Sequence, residues 1–215
     1  MKADYLVHDQ QYKAARAKGW SGWGGNERMA HEHIWLNRLF SFAGVPETGT
    51  ALELGCGEGH YSRLLADRGY QVTGVDVSPT AIAWAEEKTA VSGHQIEFIV
   101  RDLTKPNLLS NRAFDIIGDG NCLHCIIGAD RATFLENVHR LLKPNGVFFI
   151  STKCSNSDED ELTEFEGKPY RFAPSLKNLH QELETAGFVI EKSDFHYRDI
   201  KNSSHCTLHL TKRSA

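Results

Sequence analysis

The stretch ALELGCGEGHYSRLLA, residues 51–66, sets a short apolar run against a glycine-rich turn, then a run with apolar residues at helical spacing. A strand that enters Gly55-Cys56-Gly57-Glu58-Gly59 and leaves as a helix makes a tight turn whose backbone a ligand can approach closely. A nucleotide-type cofactor suits such a loop. The dinucleotide fingerprint G-x-G-x-x-G would put its third glycine at 60, where this chain has His60. The spacing here is G-x-G-x-G. Asp76 ends the next apolar run, seventeen residues beyond Gly59, where a carboxylate accepts hydrogen bonds from both ribose hydroxyls.

Outward from this loop, short apolar runs alternate with helix-like stretches. YQVTGVDV (70–77) reads as a second strand, and SPTAIAWAEEKTA opens a helix with Ser78 as cap and Pro79 at its first position. QIEFIV (95–100), AFDIIG (113–118) and GVFFIST (146–152) supply three more strands. ADRATFLENVHRLLK (129–143) is amphipathic and ends at Pro144-Asn145-Gly146. This alternation predicts βαβ units and a parallel sheet covered by helices on both faces. After a helix near 174–186, FVIEKSDFHY and SSHCTLHLTK read as an antiparallel hairpin closing one sheet edge.

The chain has 215 residues, enough for one core, with 40% hydrophobic and 24% charged residues. A net charge of −4 and a pI near 6.3, with no basic stripe, argue against nucleic acid as partner. No apolar run approaches a membrane span, and the first residues lack a secretory core. Five scattered cysteines, an odd number, fit reduced thiols in a cytoplasmic protein.

On these motifs the sequence resembles the class I S-adenosylmethionine-dependent methyltransferases. LELGCGEG is similar to their first motif, VTGVDVSPTAIAWA to the segment carrying the ribose acid, and RDL (101–103) to their adenine-contact turn. AFDIIGDGNCLHCI and LLKPNGVFFIST resemble their fourth-strand and fifth-strand motifs. The resemblance runs over roughly 48–152 and implies an α/β, Rossmann-like, seven-stranded, mostly parallel sheet with a C-terminal antiparallel hairpin. It implies S-adenosyl-L-methionine as cofactor and S-adenosyl-L-homocysteine as product. Gly55, Gly57 and Gly59 would shape the loop around the methionine part, with Glu53 holding that loop or the cofactor's ammonium. Asp76 would take the ribose hydroxyls, Val77 flank the adenine, and Asp102 with Leu103 form the adenine turn. Two alternatives stay open: Glu53 as a buried carboxylate satisfied by loop N–H groups, and Asp102 as a turn cap.

A single domain over 1–215 is expected. It comprises a helical cover at 1–48, a cofactor-binding core at 49–152, an acidic loop over the site at 153–173, and a closing helix and hairpin at 174–215. GDGNCLHC (118–125) follows the fourth strand, where the resemblance puts the acceptor. Enzymes of this class that act on nucleic-acid bases carry Asn/Asp-Pro-Pro-aromatic here; this chain has Asp119-Gly120-Asn121-Cys122. The stretch is closer to small-molecule members, in which a His or aromatic residue faces the acceptor. His124 is thus the candidate acid/base or orienting residue, against a capping or core-edge histidine. Asp119 is a candidate catalytic and cofactor-binding carboxylate of the pocket, against a turn-forming aspartate before Gly120.

Cys122 and Cys125 form a C-x-x-C around His124, but a structural zinc needs a second ligand pair. His205, Cys206 and His209 lie on the closing hairpin, expected away from this pocket, so no metal is expected and the cysteines read as lining. Trp20 and Trp23 among glycines read either as a lid or as staples for the N-terminal helix. The acidic run Asp158–Glu161 reads as a solvated loop. Next to it are Tyr170 and Arg171, the latter holding an acceptor anion or pairing with that run. A small-molecule acceptor (S, N or O), no nucleic-acid or membrane partner, and a monomer or homodimer are expected. Alternatives from other classes are a protein or nucleic-acid methyltransferase, a nicotinamide-dependent oxidoreductase, and a non-catalytic cofactor-binding module.

Overall fold

A computed structural model describes residues 3–25, 32–196 and 203–213. Two helices, α1 (Val7–Ala17) and α2 (Glu32–Leu39), precede the core. The core runs β1 (Thr50–Leu54), α3 (His60–Asp67), β2 (Gln71–Asp76), α4 (Pro79–Ser92), β3 (Glu97–Val100) and β4 (Phe114–Gly120). A short 3-10 turn at Leu123–Cys125 leads to α5 (Asp130–Leu141) and β5 (Leu142–Ser155). The chain then forms β6 (Glu161–Phe165), β7 (Lys168–Ala173), α6 (Leu176–Thr185), β8 (Phe188–His196) and β9 (Ser203–Lys212).

The main sheet has strand order β3-β2-β1-β4-β5-β9-β8. The first five strands are parallel; β9 runs antiparallel to both β5 and β8. The expected seven-stranded, mostly parallel sheet with its closing hairpin is therefore present. Residues 197–202, including the end of the predicted FVIEKSDFHY strand, lie outside the described residues, as do 26–31 within the predicted helical cover.

Side chains alternate across each strand, so neighbours feed opposite cores. Leu52, Ile117 and Phe148 join Phe134, Val138, Leu179 and Leu183 from α5 and α6 on one face. Ala51, Ile116 and Phe149 join Trp35, Leu39 and Leu65 from α2 and α3 on the other. Each fully buried Leu or Phe contributes roughly 1.5–3 kcal/mol. Such strands cannot slip by one residue without exchanging their two faces.

Three expectations need correction. Helix α5 stops at Leu141, and Pro144-Asn145-Gly146 lie within β5, where the ladder with β4 shifts register between Phe114 and Ile116. A bulge accommodates a proline that a regular inner strand excludes. The acidic segment expected as a loop is instead the end of β5 followed by the β6–β7 hairpin. Two of its acids anchor it: Asp160 accepts from Ser175 N and Asn178 Nδ2 at 2.8 and 3.0 Å, and Glu161 accepts from Ser155 Oγ at 2.9 Å. Finally, Cys154 and Cys206 are joined as a disulfide, with Cα atoms 6.3 Å apart, rather than left as reduced thiols. Insertion of β9 beside β5 brings together two cysteines 52 residues apart. Cys56, Cys122 and Cys125 are free.

Candidate active site

The carboxyl ends of β1, β2 and β4 open onto a cavity of about 870 Å³. The glycine loop forms its floor, with positive φ at Gly55 and Gly57 (63° and 55°). A Cβ on Gly57 would lie 2.3 Å from the Tyr12 hydroxyl, and one on Gly55 would lie 2.8 Å from Cys122 Sγ. Left-handed backbone and lack of space both require glycine at these two positions. Gly59 caps α3 and packs against Phe98 instead of lining the cavity.

Asp76 is buried at the rim of the loop. Gly57 N donates to its Oδ2 at 2.9 Å and Ser78 N to its Oδ1 at 2.8 Å. Burial outweighs these donors and raises its pKa to about 6. Glu53 is buried beneath the loop and accepts from Ser62 Oγ on α3, so its partner is a hydroxyl and not the loop N–H groups weighed above. Burial pushes Glu53 up to about 8. Asp102 is a turn cap that also borders the cavity. Its Oδ1 accepts from Thr104 N and Oγ1 at 2.9 and 2.7 Å, capping the turn, and the residue also lines the cavity with Val77 and Leu103. Cys56 is buried and its thiol is pushed well up by burial.

At the end of β4 the two candidates separate. Asp119 is fully buried and does not line the cavity; Cys122 N donates to its Oδ1 at 2.5 Å, and Leu123 N lies 3.2 Å from its Oδ2. It is the turn-forming aspartate, with a pKa raised by burial to about 7. His124 does line the cavity. Arg171 Nη1 donates to its Nε2 at 2.6 Å, so Nε2 carries no proton and Nδ1–H faces Thr152 Oγ1 at 3.4 Å. Arg171 Nη1 also reaches Cys125 Sγ at 2.9 Å, and Nη2 donates to the Tyr170 hydroxyl at 3.0 Å. Arg171 therefore turns into the cavity, away from the acidic run beside it, while Tyr170 sits behind it. A guanidinium on both His124 and Cys125 occupies the place a metal would take there. His205, expected away from the pocket, lines it and meets Asn121 Oδ1, because β9 lies next to β5.

The cover comes from α1 and the segment after it. Tyr5, His8 and Tyr12 line the cavity together with Trp23. Tyr12 packs on Trp23 with ring centroids 4.8 Å apart, and His8 lies 5.9 Å from Trp23 and 5.4 Å from Tyr170. Trp20 does not join them; it is 40% exposed, with the Lys18 ammonium 4.9 Å from its ring. Asp9 docks α1 onto the start of α4, accepting from Ser78 Oγ at 2.7 Å and Thr80 N at 3.0 Å. Burial would raise Asp9, but Lys13, Ser78 and Thr80 together hold it well below the usual carboxylate range. The hairpin is tied to the same helix by Tyr170 OH to Gln11 Oε1, and to the segment before it by Lys168 to Asp4, both 2.9 Å.

Sequence reasoning missed Tyr5, His8 and Tyr12, although their three- and four-residue spacing marks one helical face. It also missed Arg38, Tyr61 and Lys153, which line the cavity through tertiary placement alone.

The family described as Methyltransferase domain matches residues 52–150. A putative methyltransferase, YqeM, of Bacillus subtilis is 31% identical over 141 residues, 60% of this chain and 53% of that protein. The ubiquinone biosynthesis O-methyltransferase of Pseudomonas paraeruginosa is 31% identical over 121 residues, 55% and 48% respectively. The chain thus spans about half the length of these two curated relatives. Among solved structures, 1,6-didemethyltoxoflavin-N1-methyltransferase of Burkholderia thailandensis, with bound 1,6-didemethyltoxoflavin and S-adenosylhomocysteine, superposes with a TM-score of 0.75. It is 21% identical, covering 97% of this chain and 88% of that one. Residues 52–150 match the methyltransferase domain family, and the chain has the fold of class I S-adenosylmethionine-dependent methyltransferases.

Proposed function

We propose that this chain transfers a methyl group from S-adenosyl-L-methionine to a small-molecule acceptor. The observation that carries this reading is the left-handed glycine loop on the cavity floor, with no room for a Cβ against Tyr12 and Cys122, beside the buried carboxylate of Asp76. Asp76 keeps a second lone pair on each oxygen for the ribose hydroxyls. Glu53, buried under the loop, suits the ammonium of the methionine part, and Val77, Leu103 and Asp102 suit the adenine. The cofactor supplies a methyl carbon on a sulfonium, a good leaving group.

The chain's own residues position the partners and exclude water. Tyr12, Trp23 and His8 cover the cavity, and aromatic faces near a sulfonium add cation–π attraction. His124 accepts a proton from an acceptor only once Arg171 leaves its Nε2, so the resting site favours an acceptor that arrives deprotonated. The names of two relatives, a ubiquinone-pathway O-methyltransferase and a toxoflavin-precursor N-methyltransferase, support a small organic acceptor. A covered cavity and a net charge of −4 disfavour nucleic acid.

Among the described residues no helix is long and apolar enough to cross a membrane. We place the reaction in the cytoplasm on the strength of three free thiols among five cysteines, with the Cys154–Cys206 pair running against it.

Incubation of the protein with methyl-labelled S-adenosylmethionine and cell extract, split into small-molecule, protein and RNA pools, tests the acceptor class. Label is expected in the small-molecule pool. Label in protein or RNA contradicts this reading, and cofactor binding without transfer to any pool favours a non-catalytic module.

A further inference from the structure

The walls of the cavity differ in charge. Its carboxylates, Glu53, Glu58, Asp76 and Asp102, belong to the glycine loop and the ends of β1 to β3. Its cationic side chains, Arg38, Lys153 and Arg171, come from α2, β5 and the β6–β7 hairpin, around the end of β4. The first wall matches the ammonium and ribose of the cofactor. The second faces the remaining space.

Arg171 is the distinctive member. Two other arginines are neutralised by bidentate pairs: Arg131 spans both oxygens of Glu182 at 2.7 and 2.6 Å, and Arg112 reaches both oxygens of Glu97. Arg171 donates only to the imidazole of His124, the thiol of Cys125 and the phenol of Tyr170, over whose ring it also lies at 4.5 Å. Among the described residues no carboxylate lies within ion-pair distance of it. This is so although Glu164 and Glu166 stand exposed on the same hairpin. A planar guanidinium held in a cavity by neutral partners is preorganised for an oxyanion, which forms shorter and stronger hydrogen bonds with it. Nearby His8 adds no competing charge, since burial and then Arg171 lower its pKa to about 4.

We infer that Arg171 is the specificity-determining residue for the acceptor and that the acceptor is a small organic anion whose carboxylate or phosphate the guanidinium binds. The inference rests on the methyl-transfer reading and deepens it.

The test is calorimetry on protein saturated with S-adenosylhomocysteine, with benzoate, phenyl phosphate and the neutral benzamide as probes. Wild type is expected to bind at least one of the anions about tenfold or more tighter than benzamide. Whichever anion binds tighter tells carboxylate from phosphate. Arg171→Gln is expected to erase the preference and Arg171→Lys to keep part of it. Both should bind S-adenosylhomocysteine within about threefold of wild type, because Arg171 is on the other wall. Equal binding of benzamide and the anions, binding of none of the three, or a preference that survives Arg171→Gln would overturn the inference. If wild type binds no S-adenosylhomocysteine, the methyl-transfer reading falls with it, and the two failures are told apart by that first titration.

Discussion

Asp76 shows how burial at one residue sets the behaviour of the site. Its carboxyl titrates near 6, above its ordinary value, because burial outweighs the N–H groups of Ser78 and Gly57. Ribose hydroxyls donate more strongly to the ionised form, so the affinity for S-adenosylhomocysteine should fall as pH drops below about 6. Titrations between pH 5 and 8 check this; a flat profile would remove Asp76 from the ribose. The free protein should show the opposite trend. Asp76, Asp119 and Glu53 all bind protons more tightly folded than unfolded, at about 6, 7 and 8. Stability from these groups is full below their unfolded values and is lost as pH rises through the folded ones. Thermal melts of the cofactor-free protein should therefore move to lower temperature between pH 5 and 8. At this scale the sequence was legible where a motif fixed the spacing, as for Gly55, Gly57 and Asp76. It was less legible at the end of β4, where Asp119 is buried against the following turn while His124, on that turn, reaches the cavity; which of the two does so depends on the twist of the turn.

Among the elements, α1 and the β6–β7 hairpin convert an open sheet end into a covered cavity. Helix α1 is held at both of its working ends, by Asp9 on the Ser78 cap of α4 and by Tyr12 on Gly57. Ser78→Ala removes the bond to Ala81 N at 3.0 Å and the bond to Asp9. It should cost about 1–2 kcal/mol of stability, read as a lower melting temperature. Gly57→Ala forces a left-handed alanine and a Cβ into the Tyr12 hydroxyl. It should cost about 1–3 kcal/mol and weaken S-adenosylhomocysteine binding, since α1 must shift. Unchanged binding in Gly57→Ala would mean that the cradle is not used. The hairpin was hidden in the sequence because DEDELTEFEG carries charge where strands favour branched and aromatic residues. Its pairing comes from β6 and β7 meeting each other and from Asp160 and Glu161 anchoring the turn, not from local propensity.

Across the whole molecule, the five parallel strands follow from apolar runs alternating with helices, and the structure has them; their order in the sheet comes from the structure alone. The place of β9 between β5 and β8 carries no comparable local signal, and it brings His205 to the pocket and Cys206 to Cys154. The seam between the N-terminal segment and the hairpin, made by Gln11 with Tyr170 and Asp4 with Lys168, joins segments more than 150 residues apart in sequence. A ligand beneath it should slow amide hydrogen exchange in α1 and β6–β7 together, whereas protection confined to the glycine loop would mean that the cover is independent of the site. The central claim is that this covered sheet end holds S-adenosylmethionine through Asp76. Calorimetric titration with S-adenosylhomocysteine at pH 7.5 tests it most directly. The account predicts a single site on wild type, weakened about 100-fold or more in Asp76→Ala through loss of two charge-assisted hydrogen bonds. No binding to wild type, or equal affinity in the two proteins, would contradict it.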